Sequence, residues 1–159
     1  MRDTDIDIID KKILSMLSQD ANIPHAEMAE VCGITRQTIA SRIHRMERGG
    51  VIKGYRTIID MEKVGLRAFF VLFLKLDVTD QTTIEDFVRT LKGDPHVITD
   101  VSITGEWDVM LLLAFMDVRE YESYINQLRL EMGQVLRDSK SHVILNFYKS
   151  PDDWVPFRE

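Results

Sequence analysis

The stretch from Thr35 to Arg56 gathers the side chains of this 159-residue sequence that are best suited to bind a polyanion. It carries six Lys or Arg residues against one carboxylate, Glu47, so its net charge is +5 where the whole chain is −6 at pH 7. Guanidinium and ammonium groups bind phosphate oxygens, and some polar side chains also reach base edges. The stretch therefore predicts contact with a polyanion, although charged rows in general are often only solvated helix faces.

A second group of polar residues, TGEWD, runs from Thr104 to Asp108. A glycine at 105 permits a backbone conformation with exposed N–H groups that can hold a carboxylate, while Asp108 or Glu106 can pair with an ammonium group. Those are the two charged ends of a free amino acid. A glycine in a β-turn followed by an aspartate is more often only a turn, and the residues alone favour that interpretation.

The sequence gives little support for an enzyme. The histidines at 25, 44, 96 and 142 are far apart and lack metal-ligand spacing, and neither His-Glu-x-x-His nor paired cysteines occur. Phosphate-binding glycine loops are absent as well. We therefore expect no catalytic residues, no metal and no cofactor, and we interpret the single cysteine, Cys32, as a small buried residue.

Apolar periodicity places the cationic residues on a helix. Ile39, Ile43 and Met46 recur at i, i+4 and i+7, so one face of the helix should meet a core. Thr35 can cap its start, and the Gly49–Gly50 pair can end it. The opposite face is then cationic.

A shorter helix is predicted between Pro24 and Gly33. A helix, a glycine turn and a cationic helix form the helix-turn-helix arrangement, whose second helix enters the DNA major groove. Arg42 departs from that pattern, because its position is usually apolar. Val51–Asp60 is predicted to be extended and to lie as a wing beside the phosphates. The predicted DNA-contacting residues are Thr35, Arg36, Gln37, Thr38, Ser41, Arg42, Arg45, Arg48, Lys53 and Arg56.

Four aspartates near the N-terminus belong to the start of a first helix. Their carboxylates favour a helix N-terminus electrostatically, so we interpret them as helix-start chemistry rather than as a metal site. The apolar face of this helix is expected to form a small core with the next two helices. The aspartates are Asp3, Asp5, Asp7 and Asp10, and the expected core partners are Val31, Ile39 and Ile43.

A change of pattern divides the chain. Residues 60–66 lack periodicity and contain Gly65, so we predict a DNA-binding domain over 1–60, a linker over 61–66 and a second domain over 67–159. Lys and Arg balance Asp and Glu in residues 1–60, whereas the rest of the chain is −6. The acidic part should not touch DNA. No apolar run is long enough to span a membrane and the N-terminus is acidic, so we expect a cytoplasmic protein without a membrane partner.

The second domain is predicted to be a ferredoxin-like β-α-β-β-α-β sandwich. Strands are expected over 67–78, 97–104, 107–116 and about 141–148, with one helix after a Thr82 and Glu85 capping box and another after Asp117. A tail follows. Together with the helix-turn-helix, this makes the fold class α+β.

Two of these strands are apolar on both faces, which predicts a homodimer. In such a sandwich both helices cover one side of the sheet, so the other side should alternate with polar residues in a monomer. The strands at Ala68–Leu74 and Val109–Met116 show no such alternation. A second copy of the chain is the simplest cover for the exposed side. Assembly to a tetramer or octamer is left open.

The sequence resembles the Lrp/AsnC family of transcription regulators over nearly its whole length. The similar segments are IDIIDKKIL at Ile6–Leu14, GITRQTIASRIHRMERGGVIKGY at Gly33–Tyr55, and GEWD at Gly105–Asp108, in the place of the family's Gly-x-x-Asp turn. The family also has arginine at the position of Arg42. It often has another arginine after the first helix, where this chain has Ala21–Pro24.

The resemblance implies a double-stranded DNA partner and an amino-acid effector, bound near this turn where dimers meet. It implicates Gly105 and Asp108, together with Ser102, Thr104, Glu106 and Ser139. Two alternatives stay open. One is a small-molecule enzyme built on the sandwich with a basic appendage, and the other is an architectural chromatin-like protein that needs no effector.

Overall fold

The computed structural model describes residues 5–77, 87, 89–149 and 155–157. The chain forms two compact units, one over Met1–Ile58 together with Tyr148–Glu159 and the other over Ile59–Phe147. The residues after Tyr148 are thus grouped with the first unit. The sequence assigned them to the second domain, and the limits 1–60, 61–66 and 67–159 remain predictions.

The described residues of the first unit form three helices. They are α1 (Ile8–Gln19), α2 (His25–Cys32) and α3 (Arg36–Arg48). The predicted apolar stripe of α3 is buried, and the fully buried side chains of this core are Ile13, Met28, Ile39 and Met46. Val31 was expected in the core, and that prediction is wrong: its side chain is 59% exposed. The eight-residue α2 turns its Met28 and Ala29 face inward instead.

Local signals fix where these helices start and stop. The Asp7 side chain accepts the Asp10 N–H at 2.9 Å while the Asp10 side chain accepts the Asp7 N–H at 3.1 Å, so the two form a capping box on α1. Thr35 caps α3 by accepting the Thr38 N–H at 3.2 Å. Gly33 ends α2 at a φ of 67°, a conformation that glycine adopts without strain. The helix-turn-helix predicted from these residues is present.

The segment after α3 lacks a strand ladder. Val51 and Ile52 pack against the core of the first unit, and residues 53–60 are irregular. The wing predicted over Val51–Asp60 is therefore a stretch of chain without regular secondary structure. A turn at residues 61–65 follows it.

The second unit is an antiparallel sheet covered by helices on one side. Its elements are β1 (Ala68–Leu76), α4 (described over residues 89–93), β2 (Val97–Ser102), β3 (Val109–Phe115), α5 (Val118–Met132) and β4 (Leu136–Val143). The strand order β2-β3-β1-β4 is that of the predicted ferredoxin-like sandwich. The capping box at Thr82 and Glu85 lies outside the described residues.

The last strand starts earlier than predicted. The sequence placed it at about 141–148, but β4 runs over Leu136–Val143 and pairs with β1 from Leu76↔Leu136 to Phe70↔Val143. The prediction is wrong because β4 is an edge strand with a mostly exposed, polar sequence, so it lacks the apolar signal of a buried strand. That signal came from Ile144–Tyr148, which follows the strand.

The two faces of the sheet differ in whether a helix packs against them. On one face, alternate residues of β1 and β3 are buried against α5, whose Tyr121, Ile125, Leu128 and Met132 point inward. The other face carries apolar side chains, and no helix in the described part of the chain lies over them. Its central pairs are Phe69↔Ala114, Val71↔Leu112 and Phe73↔Met110. Of these six residues, all but Ala114 keep part of their surface exposed.

Candidate nucleic-acid interface and effector turn

One side of α3 is an exposed row of polar side chains, and we call it the outer row. Its members recur at i, i+4, i+7 and i+11, so they align along the helix. They are Gln37, Ser41, His44 and Arg48, all exposed, with Arg36 exposed beside them at the first turn. Sequence reasoning left His44 out of the predicted contacts, although its helical spacing places it in the row.

Arg42 and Arg45, two other predicted DNA contacts, are held by α1. The Arg42 Nη1 atom donates to Asp7 Oδ2 at 2.7 Å and to Asp10 Oδ1 at 2.9 Å. The Arg45 Nη2 atom donates to Asp10 Oδ2 at 2.5 Å, and its Nη1 atom donates to the Asp5 carbonyl at 3.3 Å. The Asp10 side chain is fully buried, whereas the arginine side chains are about one quarter exposed.

In the cluster of Asp7, Asp10, Arg42 and Arg45, two carboxylates face two guanidinium groups. The Asp10 N–H donated to the Asp7 carboxylate, followed by the guanidinium of Arg42, lowers the pKa of Asp7 to about 2. The same ion pairs raise the pKa of Arg42 above its ordinary value. A buried carboxylate needs such partners, which explains why a guanidinium stands at the usually apolar position 42.

Glu47 links α3 to the segment that follows it. The Tyr55 hydroxyl donates to Glu47 Oε1 at 3.0 Å, and His44 Nδ1 lies 3.0 Å from Glu47 Oε2. These two bonds lower the pKa of Glu47, with His44 the larger cause. The single carboxylate of the cationic stretch therefore anchors the irregular chain that carries Lys53 and Arg56, both exposed.

The hairpin between β2 and β3 closes through Asp108. The Asp108 carbonyl accepts the Ile103 N–H at 2.9 Å and lies 3.4 Å from Ser102 Oγ. Its carboxylate accepts the Leu76 N–H at 2.7 Å, and its own N–H donates to the Leu74 carbonyl at 3.0 Å. Asp108 therefore makes hydrogen bonds both to the end of β1 and across the base of the turn.

The remaining predicted effector residues lie at or near this end of the sheet. Gly105 has a φ of 119°, a backbone conformation that favours glycine, and Thr104 and Glu106 are exposed on the same turn. Ser139 on β4 pairs with Leu74, whose partner on the other side is Val109. The sheet register therefore brings Ser139 to the end where Ser102 and Asp108 stand.

A cavity beside Ser139 adds basic groups that the sequence did not single out. It measures about 270 Å³, and Arg129 and Arg137 line it together with Asp138 and Ser139. The Arg129 Nη2 atom donates to Ser139 Oγ at 3.2 Å. Strand alternation and the last turn of α5 bring these residues together, so only a correct placement of β4 would have revealed them.

Two families match the chain, one on each side of the change in sequence pattern at residues 60–66. The family described as "Winged helix-turn-helix DNA-binding" matches residues 6–53, and that described as "Lrp/AsnC ligand binding domain" matches residues 70–153. The chain belongs to the Lrp/AsnC family. Lrp/AsnC proteins are transcription regulators with a DNA-binding and a ligand-binding domain, and they are not enzymes.

Individual Lrp/AsnC relatives cover most of the chain. The chain is 31% identical over 125 residues to the HTH-type transcriptional regulator AldR of Mycolicibacterium smegmatis. The alignment covers 79% of this chain and 73% of that protein. The chain is also 31% identical over 122 residues to the proline dehydrogenase transcriptional activator of Rhodobacter capsulatus, covering 77% and 79%. A regulator from Neisseria meningitidis, solved as an L-Met complex, has a TM-score of 0.84 at 22% identity, covering 92% and 94%.

Two kinds of feature are absent from the part of the chain that the structure describes. None of its helices is long and apolar enough to cross a lipid bilayer. No group of three or more His, Cys, Asp or Glu side chains in it is arranged to hold a metal ion.

Proposed function

We propose that this regulator binds double-stranded DNA sequence-specifically through the outer row of α3 and responds to an amino acid bound at the β2–β3 turn. The observation that carries the proposal is the separation of α3 into two sides. The outer row is exposed and holds amide, hydroxyl, imidazole and guanidinium groups, while Arg42 and Arg45 are committed to Asp7 and Asp10.

The proposed DNA-contacting residues divide by chemistry. Gln37 and Ser41 have the hydrogen-bonding groups that read base edges, and Gln37 suits an adenine edge. Arg36, Arg48, Lys53 and Arg56 carry charges suited to phosphate oxygens, and the exposed N-terminal turn at Thr35 and Thr38 suits a phosphate as well. Arg42 and Arg45 act mainly by holding α3 against α1.

The effector proposal is supported by complementary charges at one end of the sheet. Gly105 offers backbone N–H groups and Glu106 an exposed carboxylate, while Arg129 and Arg137 stand beside Ser139. Such groups match the carboxylate and ammonium of a free amino acid. A proline dehydrogenase transcriptional activator and a regulator solved as an L-Met complex are among the similar proteins, and both favour this chemical class.

The open face of the sheet supports a homodimer in solution. Phe69, Val71, Phe73, Met110 and Leu112 present an apolar surface that no helix of the described residues covers. A second sheet laid on it would bury that surface and would present two copies of α3 to a pseudo-palindromic site. Tetramers or octamers would bring the turns of neighbouring dimers together. The compartment we propose is the cytoplasm, where the DNA is.

A DNA-binding titration tests the regulator proposal. Fluorescence anisotropy with the chain's own upstream DNA should show specific binding that weakens steeply as salt rises, because phosphate neutralisation releases counterions. Equal affinity for random DNA of the same length would indicate an architectural protein instead. The absence of binding at low salt would overturn the proposal.

Isothermal titration against the twenty amino acids tests the effector proposal separately. At least one amino acid should release or absorb heat, and Gly105→Ala should weaken that binding because alanine is strained at a φ of 119°. Asn126→Ala on α5 is the control. No heat with any amino acid would leave the turn with a purely structural role.

A further inference from the structure

A surface depression between α1 and α2 is lined in part by a segment from the C-terminal end of the sequence. We call it the α1–α2 groove, and it encloses about 680 Å³. Its walls are Ser15, Met16 and Gln19 of α1, Val31 of α2, and Val155 and Phe157 of the C-terminal segment. The Lys11 Nζ atom lies 5.7 Å from the centroid of the Phe157 ring, within the range of a cation–π interaction.

Apolar side chains from both helices line the groove. Val31 is 59% exposed although it sits on a short helix beside the core of the first unit. It lines the groove together with Met16, Val155 and Phe157, and Phe157 is 50% exposed there. Burial of such surface favours docking.

Charge also favours this occupant. Residues 150–159 carry Asp152, Asp153 and Glu159 against Arg158, so the segment is net −2. The α1 side of the groove presents the exposed side chains of Lys11 and Lys12. Opposite net charges favour the approach of a segment of this composition to α1.

We propose that the α1–α2 groove is the docking site of the chain's own segment Val155–Phe157, which straps the C-terminal end of the sequence to the DNA-binding unit. The two units are then joined twice, once at Ile58–Ile59 and once at Phe147–Tyr148. The contacts of the strap lie on α1 and α2 and leave the outer row of α3 available. The segment also lies beyond residue 153, where the match to the ligand-binding family ends.

A second connection restricts how the DNA-binding unit can orient, and this consequence rests on the proposed function. In a dimer on a two-half-site operator, the second contact is intramolecular, and its strength depends on the effective concentration that the tether sets. The strap therefore raises affinity for a full operator without contributing to a single half-site.

Crosslinking tests the docking without DNA. In a Cys32→Ala background, Ser15→Cys and Val155→Cys are combined in one chain and treated with a short bismaleimide. Rapid crosslinking within one chain, at monomer mass on a denaturing gel, is expected. The control pair, Ser41→Cys with Val155→Cys, should react more slowly because Ser41 lies in the outer row. A crosslinked dimer would place a partner's segment in the groove, and rates equal to the control would exclude docking; either result overturns the proposal.

Phe157→Ala tests the strap in DNA binding, with Tyr148→Ala as the control because Tyr148 is 97% exposed. Phe157→Ala should weaken binding to a full operator by about 3- to 10-fold and leave a half-site within about twofold. Equal affinity of wild type and Phe157→Ala for the full operator would overturn the strap. If wild type binds no DNA, the proposed function fails, and the crosslinking result alone decides the docking.

Discussion

The two sides of α3 carry similar polar residues and have different surroundings. Arg42 and Arg45 face α1, where the buried Asp10 and the helix-capping Asp7 bind them. The outer row, with Arg48 at its end, faces away from the protein. The comparison teaches that charge counted along a sequence overstates the cationic surface, because partners 32 to 35 residues away neutralise part of it. We therefore propose that stability and DNA recognition depend on different arginines of one helix.

Removing Asp10 should have the largest effect. Asp10→Ala leaves Arg42 and Arg45 without their buried partner and removes half of the capping box, so we expect a loss of about 3–5 kcal/mol in the free energy of unfolding. Urea unfolding followed by circular dichroism measures it. Glu30→Gln, an exposed change on α2, should stay within about 0.5 kcal/mol. A loss for Asp10→Ala as small as that of the control would mean that the cluster does not stabilise α1 against α3.

Gln37→Ala should separate recognition from stability. A bidentate amide contact to a base is worth about 1–3 kcal/mol, so operator affinity should fall by that amount while the unfolding free energy stays unchanged. Arg42→Ala should do the reverse, lowering stability first, because its guanidinium is committed to Asp7 and Asp10. Anisotropy and urea unfolding on both variants check this. If Arg42→Ala lost affinity at full stability, Arg42 would return to the DNA-contacting set.

Acid should weaken the ion pairs on the side of α3 that faces α1. The folded-state pKa of Asp7, about 2, is below its ordinary value of 3.8, so its contribution is present above about pH 4 and is lost as pH falls toward 2. Half of the side chain is exposed, so solvent screening limits the effect to about 1 kcal/mol. Unfolding of wild type and Asp7→Asn between pH 5 and 2 measures it. Identical pH slopes for the two proteins would contradict the ion-pair assignment.

The sequence predicted what depends on local signals and missed what depends on distant partners. Thr35, Gly33 and the Ile39–Met46 stripe each act within a turn or two of helix, so α3 was placed correctly. The inward turn of Arg42 depends on Asp10, which is 32 residues away. β4 was misplaced because an edge strand paired only with β1 needs no apolar pattern. Likewise, Val31 was assigned to the core because its apolar character does not show which face of the short α2 turns inward, and Met28 and Ala29 occupy that face.

The smallest expected effect concerns the end of the outer row. Arg48→Ala removes a proposed phosphate contact, so it should weaken binding about equally for all DNA sequences and reduce the salt slope by about one. Stability should not change, because Arg48 is exposed on the last turn of α3. Anisotropy at several salt concentrations gives the slope, with Arg119→Ala on α5 as the control. A slope equal to wild type would show that Arg48 is solvated rather than bound to phosphate. It would also move the DNA-facing part of the row toward Gln37 and the N-terminal turn, where helix N–H groups take the place of side-chain charge.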